Sequence, residues 1–427
     1  MQAAAALVAE DLLSFYDGDK PGGVPGIFGS APPAGDYYWW TGSLLWSTLL
    51  DYRSRTGNTT YDDTILEGLQ WQVGSDNDFM PANWTASEGN DDQSFWAQAA
   101  LLADETGFVD PPSGDAQWLA LAQTVFDVQS VEGRHVSEGN CSGALRWQIY
   151  TFNNGYSYVN TASNAGFFSI GAQLAVLTKN DTYGDEAAKT YDILSKIGLV
   201  SDDFNVYDGL QADACNAINR VQFSYAAGVL LQGSAYMYNY TNDDIWKTRV
   251  DGLVDRTLEL FFPKGIATEI ACEDSESCTS DMLFYKGILH RSLAYTMKLA
   301  PHTTETILPV LKTSAAAAVL TCTGGDNKRM CGFTWADGKF DNSSAAAQTS
   351  VLSALVSVLQ SYVEVNTTGS GGGNSGNSTS TTGSSGGSDG ASGSGNSTGS
   401  GGSSIGTNIG VSFSVLVGGL LVAGFLG

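Results

Sequence analysis

The chain has 427 residues, of which 45 are Asp or Glu and 20 are Lys or Arg, a formal net charge of −25. A surface this acidic repels phosphate backbones, and no Lys/Arg cluster offers a local exception, which excludes nucleic acid as a natural partner. Few charges beside ten Trp, eighteen Tyr and eighteen Phe suit a ligand that is stacked rather than ion-paired, such as a neutral polysaccharide.

The amino end, Met1-Gln2-Ala3-Ala4, enters an amphipathic stretch without a cationic segment and apolar core before it, so a secretory leader is expected to have been removed. Apolar periodicity, broken by Gly, Pro, Asn and Asp clusters, predicts helices over 2–16, 41–56, 60–74, 91–105, 114–130 and 162–178. It predicts six more over 183–198, 219–239, 243–262, 280–298, 303–319 and 343–363. Little alternates at period two, so the expected fold class is all-α, one domain over residues 1–365.

These helices alternate in kind. The second, fourth, sixth, eighth, tenth and twelfth are rich in Ala, Gly, Ser and aromatics, as in Ala162-Ser-Asn-Ala-Gly-Phe-Phe, whereas the others carry the charges, as in Trp246-Lys-Thr-Arg-Val-Asp. A helix that is apolar nearly all round must be surrounded, and one with a charged face lies outside. Six of each describe an inner ring within an outer ring, an (α/α)6 toroid with the amino ends of the inner helices on one face.

Asp91 and Asp92 open the fourth helix, in Glu88-Gly89-Asn90-Asp91-Asp92-Gln93-Ser94-Phe95-Trp96. Taken alone the string is a helix start, with Asn90 as N-cap, Gln93 completing a capping box and two anions at the positive end of the dipole. In a toroid the same pair projects from the mouth, where adjacent carboxyl groups can do acid/base work on a sugar. Tyr37 to Trp40, Asn153 to Asn160, Asn219, Arg220, Gln222 and Lys286 are expected beside it. Trp39, Trp40 and Trp147 are candidate stacking platforms. Trp96 fits core or platform equally, Asn160 and Asn164 fit helix caps or ligand contacts, and Lys286 fits a site or an ion pair.

Six cysteines, with four in two short loops, suggest local pairs Cys272 with Cys278 and Cys322 with Cys331, leaving Cys141 with Cys215, although sequence alone leaves the connectivity open. No Cys-x2-Cys spacing exists and the histidines are scattered, so neither metal nor cofactor is expected. Glycosylation sequons start at Asn58, Asn83, Asn140, Asn180, Asn239 and Asn342, with three more at Asn366, Asn377 and Asn396. Residues 366–404 are almost entirely Gly, Ser, Thr and Asn, the composition of a disordered stalk. Residues 405–427 are apolar with no Lys or Arg after them, which reads as a GPI-attachment signal rather than a stop-transfer helix.

The strings Gly89 to Trp96, Ala144-Leu145-Arg146-Trp147-Gln148, Asn160 to Phe168, Phe223 to Leu231 and Met282 to Ile288 together resemble glycoside hydrolase family 76, in particular its fungal GPI-anchored cell-wall branch. The resemblance implies an (α/α)6 fold and a retaining mechanism on α-1,6-mannosidic linkages, with Asp91 as nucleophile and Asp92 as general acid/base. It implies α-mannose glycans (mannan and the GPI-anchor core) as ligands, contacted by residues including Arg146, Asn153, Asn160, Asn164 and Tyr225, with cell-wall glucan as an acceptor. It also implies tethering to the outer face of the plasma membrane through a GPI lipid. A catalytically silent mannan-binding protein of the cell wall is the alternative.

Overall fold

The computed structural model describes residues 1–32 and 34–359. Among them are twelve α-helices: α1 (Gln2–Leu13), α2 (Thr41–Thr56), α3 (Asp62–Trp71), α4 (Asn90–Glu105), α5 (Trp118–Gln129) and α6 (Thr161–Thr178), followed by α7 (Asp181–Lys196), α8 (Ser224–Thr241), α9 (Asp244–Phe261), α10 (Tyr285–Leu299), α11 (Thr304–Leu320) and α12 (Ala345–Ser357). Every helix predicted from periodicity is present, with ends moved by a few residues where a 3-10 turn or a cap intervenes. Residues 360–363 of the predicted twelfth helix, the stalk and the apolar tail lie outside the described residues.

The all-α expectation needs one correction. A three-stranded antiparallel sheet joins β1 (Tyr158–Asn160), β2 (Gly209–Gln211) and β3 (Asn216–Asn219) in that order, with Val159 opposite Leu210 and Gly209 opposite Asn219. Strands of three or four residues are too short for alternation to register, and Cys215 and Ala217 take positive φ in and beside β3, which breaks the pattern further.

Burial follows the two kinds of helix. Residues 161 to 176 of α6 and all of α12 are buried. By contrast α9 buries one stripe, Trp246, Val250, Leu253, Val254, Thr257 and Phe261, at helical spacing. The buried helices neighbour one another in the order α2, α4, α6, α8, α10 and α12, and α12 packs back on α2. Glycine allows the close approaches: a Cβ on Gly287 would stand 2.9 Å from the Ser350 backbone, and one on Gly233 3.0 Å from that of Ser169.

Polar ties join these helices from their middles to their carboxyl ends. Arg291 of α10 pairs with Asp51 of α2 at 2.6 Å. Lys298 reaches Glu105 of α4 at 2.6 Å, and the same carboxylate accepts from Gln173 of α6 and Tyr236 of α8. Three disulfides join Cys141 to Cys215, Cys272 to Cys278 and Cys322 to Cys331. Asn83, Asn140, Asn180, Asn239 and Asn342 are exposed, whereas Asn58 is half-buried and donates to the Tyr52 hydroxyl. Among the described residues no helix is long and apolar enough to cross a membrane.

Candidate active site

The amino end of α4 is built differently from a simple cap. Gly89 is the N-cap, and its N–H donates to Asp92 Oδ2 at 2.7 Å, so the carboxylate three residues on closes the box. Asn90 and Gln93, expected to cap, turn inward instead and both accept from Arg134 Nη1, at 2.8 and 2.7 Å. Asn90 Nδ2 donates to the Arg146 carbonyl at 2.9 Å and the Asn90 N–H to that of Trp147 at 2.8 Å, which ties the helix start to the 144–148 loop. A side chain at position 89 would collide: its Cβ would lie 2.5 Å from Asp91 Oδ1.

Asp91 faces into a cleft of about 440 Å³ together with Asp92. Its Oδ2 accepts from Asn160 Nδ2 at 2.8 Å and its Oδ1 from the Asp92 N–H at 3.1 Å. Burial raises its pKa to about 6, while Asn160, the local backbone N–H groups and the Trp147 side chain favour the ionised form and limit the rise. Burial pushes Asp92 well above the usual carboxylate range; the charge of Asp91 adds to this, and the Gly89 N–H offsets only part. Asp91 therefore ionises first and Asp92 keeps its proton.

Two further carboxyl groups share the cleft. Asp281, just before α10, accepts from Trp40 Nε1 at 3.2 Å; burial raises it to about 6, Trp40 offsets part, and the charge on Asp91 adds to the rise. Asp208, just before β2, accepts from the Tyr158 hydroxyl at 2.6 Å and Asn219 Nδ2 at 2.8 Å, and burial raises it too. Aromatic walls complete the cavity: Trp40 against Phe95 with centroids 4.8 Å apart, and Tyr225 stacked on Tyr285 at 4.0 Å. Behind the pair, Glu88 is buried and neither carboxyl oxygen has a hydrogen-bond partner. Burial, then the charges of Asp92 and Asp78, raises it to about 9, so at neutral pH it holds its proton and adds no charge. Among the described residues no cluster of three or more His, Cys, Asp or Glu side chains is placed to hold a metal ion.

Of the residues singled out in the sequence, the cleft gathers Asp91, Asp92, Tyr38, Trp40, Trp147, Tyr158, Asn160 and Tyr225. Asn160 combines both readings, since its Oδ1 caps α6 through the Ser163 N–H while its Nδ2 holds Asp91. The others lie elsewhere. Trp39 points away from Trp40, donates to Gln72 Oε1 at 2.8 Å and packs on Trp96, which is wholly buried as its helical spacing allows. Lys286 is buried between the Phe333 and Trp335 rings, paired with Glu273 at 2.9 Å. Asn164 bonds both backbone groups of Leu145, and Arg146 lies over the Tyr156 ring, so both shape the loop that presents Trp147. Asn153 donates to the Ala86 carbonyl and to Gln148, at the rim. Asn219 reaches the site through Asp208, while Arg220 and Gln222 bond Tyr207 and Asn205 outside it.

Sequence reasoning missed Asp208, Asp281 and Tyr285. Asp281 carried a readable signal, a carboxylate at the amino end of a buried helix, as for Asp91. Asp208 had none, because the sheet that places it was itself illegible.

Comparison with known proteins adds to this geometry. The family model described as glycosyl hydrolase family 76 matches residues 1–369. Mannan endo-1,6-alpha-mannosidase DCW1 of Saccharomyces cerevisiae is 40% identical over 344 residues, covering 80% of this chain and 75% of the relative. Mannan endo-1,6-alpha-mannosidase DFG5 of the same yeast is 39% identical over 336 residues, 78% and 72% of the two chains. The crystal structure of Dfg5 from Chaetomium thermophilum in complex with glucosamine superposes with a TM-score of 0.82 at 46% identity, covering 84% of this chain and 90% of that one. The α-1,6-mannanase GH76A of Salegentibacter sp. HEL1_6 shares the fold, with a TM-score of 0.66 at 17% identity over 84% and 98% of the chains. The site, the helices and the relatives agree, and the chain belongs to glycosyl hydrolase family 76, a family of glycoside hydrolases.

Proposed function

We propose that this chain is a retaining glycosidase or transglycosidase acting on α-1,6-mannosidic linkages, with Asp91 as nucleophile and Asp92 as general acid/base at the mouth of an (α/α)6 toroid. The observation that carries the reading is the unequal treatment of two adjacent carboxyl groups in one aromatic cleft: Asp91 is held by several donors and Asp92 by one, beside a negative neighbour. Retention needs carboxyl groups about 5–5.5 Å apart, a spacing that neighbours on one helical turn supply with suitable rotamers. The fungal relatives named mannan endo-1,6-alpha-mannosidase support the linkage.

In the first step a carboxylate oxygen of Asp91 attacks the anomeric carbon, the glycosidic C–O bond breaks, and Asp92 gives its proton to the departing oxygen. In the second, Asp92, now a carboxylate, takes a proton from the incoming hydroxyl, whose oxygen displaces Asp91. Water as acceptor gives hydrolysis and a sugar hydroxyl gives transfer. Trp40 and Trp147 flank the pair and favour a stacked sugar acceptor over water.

The finer reading is that the donor is the mannose core of a GPI anchor and the acceptor is cell-wall glucan. Asp91, Asp208 and Asp281 in one cleft suit a donor with an ammonium group, such as the glucosamine of that core, and the Chaetomium relative is described with glucosamine bound. Three disulfides, exposed sequons and the apolar tail at 405–427 support a protein tethered by a GPI lipid outside the plasma membrane and in the cell wall. The test offers an α-1,6-mannoside carrying glucosamine, with and without a β-glucan acceptor, and reads products by mass spectrometry. A mannosyl-glucan adduct dependent on both aspartates is expected; release of free sugar alone, whatever the acceptor concentration, would reduce the reading to hydrolysis.

A further inference from the structure

A second groove, of about 620 Å³, lies between the carboxyl-terminal half of α3 and the turn ahead of α5, and shares no lining residue with the catalytic cleft. All ten tryptophans fall within the described residues. Trp71, which lines this groove, is 60% exposed, whereas each of the others is at least partly buried. An indole open to solvent on the wall of a groove offers its face for stacking. Around it stand Asp63, Glu67, Gln70, Asn77 and Asp115, hydrogen-bonding groups of the kind that read sugar hydroxyls. Among the described residues no Lys or Arg lines the groove, and neither Asp63 nor Glu67 is engaged in an ion pair. Gln70 Nε2 donates to Asp115 Oδ2 at 3.2 Å, a bond that joins the two walls.

We infer that the Trp71 groove is a non-catalytic binding site for a neutral hexopyranose chain, stacked on the indole and hydrogen-bonded by Glu67, Gln70 and Asn77. The absence of cations in the lining and the exposed carboxylates argue against an anionic ligand, and the exposed indole argues against a free ion. Either the mannan side or the glucan side of the wall presents such a chain, and the experiment separates them.

The full chain carrying Asp91→Asn and Asp92→Asn, which prevents turnover, is run in native gels containing soluble α-1,6-mannan or soluble β-1,3-glucan, with and without Trp71→Ala. Retardation in one gel, weakened about tenfold by Trp71→Ala and partly restored by Trp71→Phe, is expected. The same Trp71→Ala change in the otherwise unaltered protein should leave the melting temperature and the turnover of a short α-1,6-mannoside unchanged, which shows that the fold and the cleft are intact. Should Trp71→Ala migrate as its parent does in both gels, or should the parent be retarded in neither, the site does not exist. If Trp71→Ala lowers the melting temperature, Glu67→Ala replaces it, and unaltered retardation by that variant overturns the assignment.

Discussion

At the residue scale, the site rests on one Asn serving two elements. Asn160 ends β1, caps α6 and donates to Asp91, so it lowers the pKa of the carboxylate proposed as nucleophile. Asp91 titrates at about 6 and is competent above that value. Without the donor its charged form loses support, its pKa rises, and the acidic limb of kcat/KM moves to higher pH. Asn160→Ala should therefore shift that limb upward while costing about 1 kcal/mol of stability from the lost cap. A pH–rate profile separates the two effects, since a purely structural Asn160 would lower the melting temperature and leave the limb where it was. The carboxylate pair itself was legible, because two anions before an apolar run are visible in any window. Their inequality was not, because it depends on Asn160 and Trp147, which lie far away in the chain, and on a glycine cap in which Asp92 takes the part expected of Gln93.

At the scale of elements, helix periodicity was legible because inner and outer helices differ in composition along their whole length, as α6 and α9 illustrate. The sheet was not, since each strand is three or four residues long and β1 takes its register from β2, some fifty residues further on. Yet the sheet is what brings Asp208 and Tyr158 to the cleft. The Cys141–Cys215 disulfide clamps this region, joining the segment that leads to Trp147 to the turn between β2 and β3. A loop closed over a sequence separation of 74 restrains the unfolded chain by about 4 kcal/mol in the chain-entropy account. Cys141→Ala with Cys215→Ala should lower the melting temperature markedly and raise KM more than it lowers kcat, because Trp147 and Asp208 lose their tether and the catalytic pair on α4 does not. Calorimetry and steady-state kinetics check the two halves, and an unchanged KM would show that the sheet stands without the clamp.

At the scale of the whole molecule, buried helices that neighbour one another in order, with α12 returning to α2, put the amino ends of α4 and α6 side by side. The lining of the cleft draws on residues at or just before the starts of α2, α4, α6, α8 and α10, which explains why one cavity collects side chains scattered from Tyr38 to Tyr285. The polar ties of Asp51, Glu105 and their partners lie from the middle to the carboxyl ends of the same helices, away from the amino ends that line the cleft. Family membership accounts for the scaffold; the roles of Asp91 and Asp92 are what the account adds for this chain. The most direct measurement follows the anomeric signals of the first product by NMR as an α-1,6-mannooligosaccharide is added to the protein and to its Asp91→Asn and Asp92→Asn variants. The account predicts that the α-anomer appears first with the unaltered protein, and that each variant stays folded but loses at least about a hundredfold in rate. A β-anomer appearing first, or full activity in both variants, would contradict it.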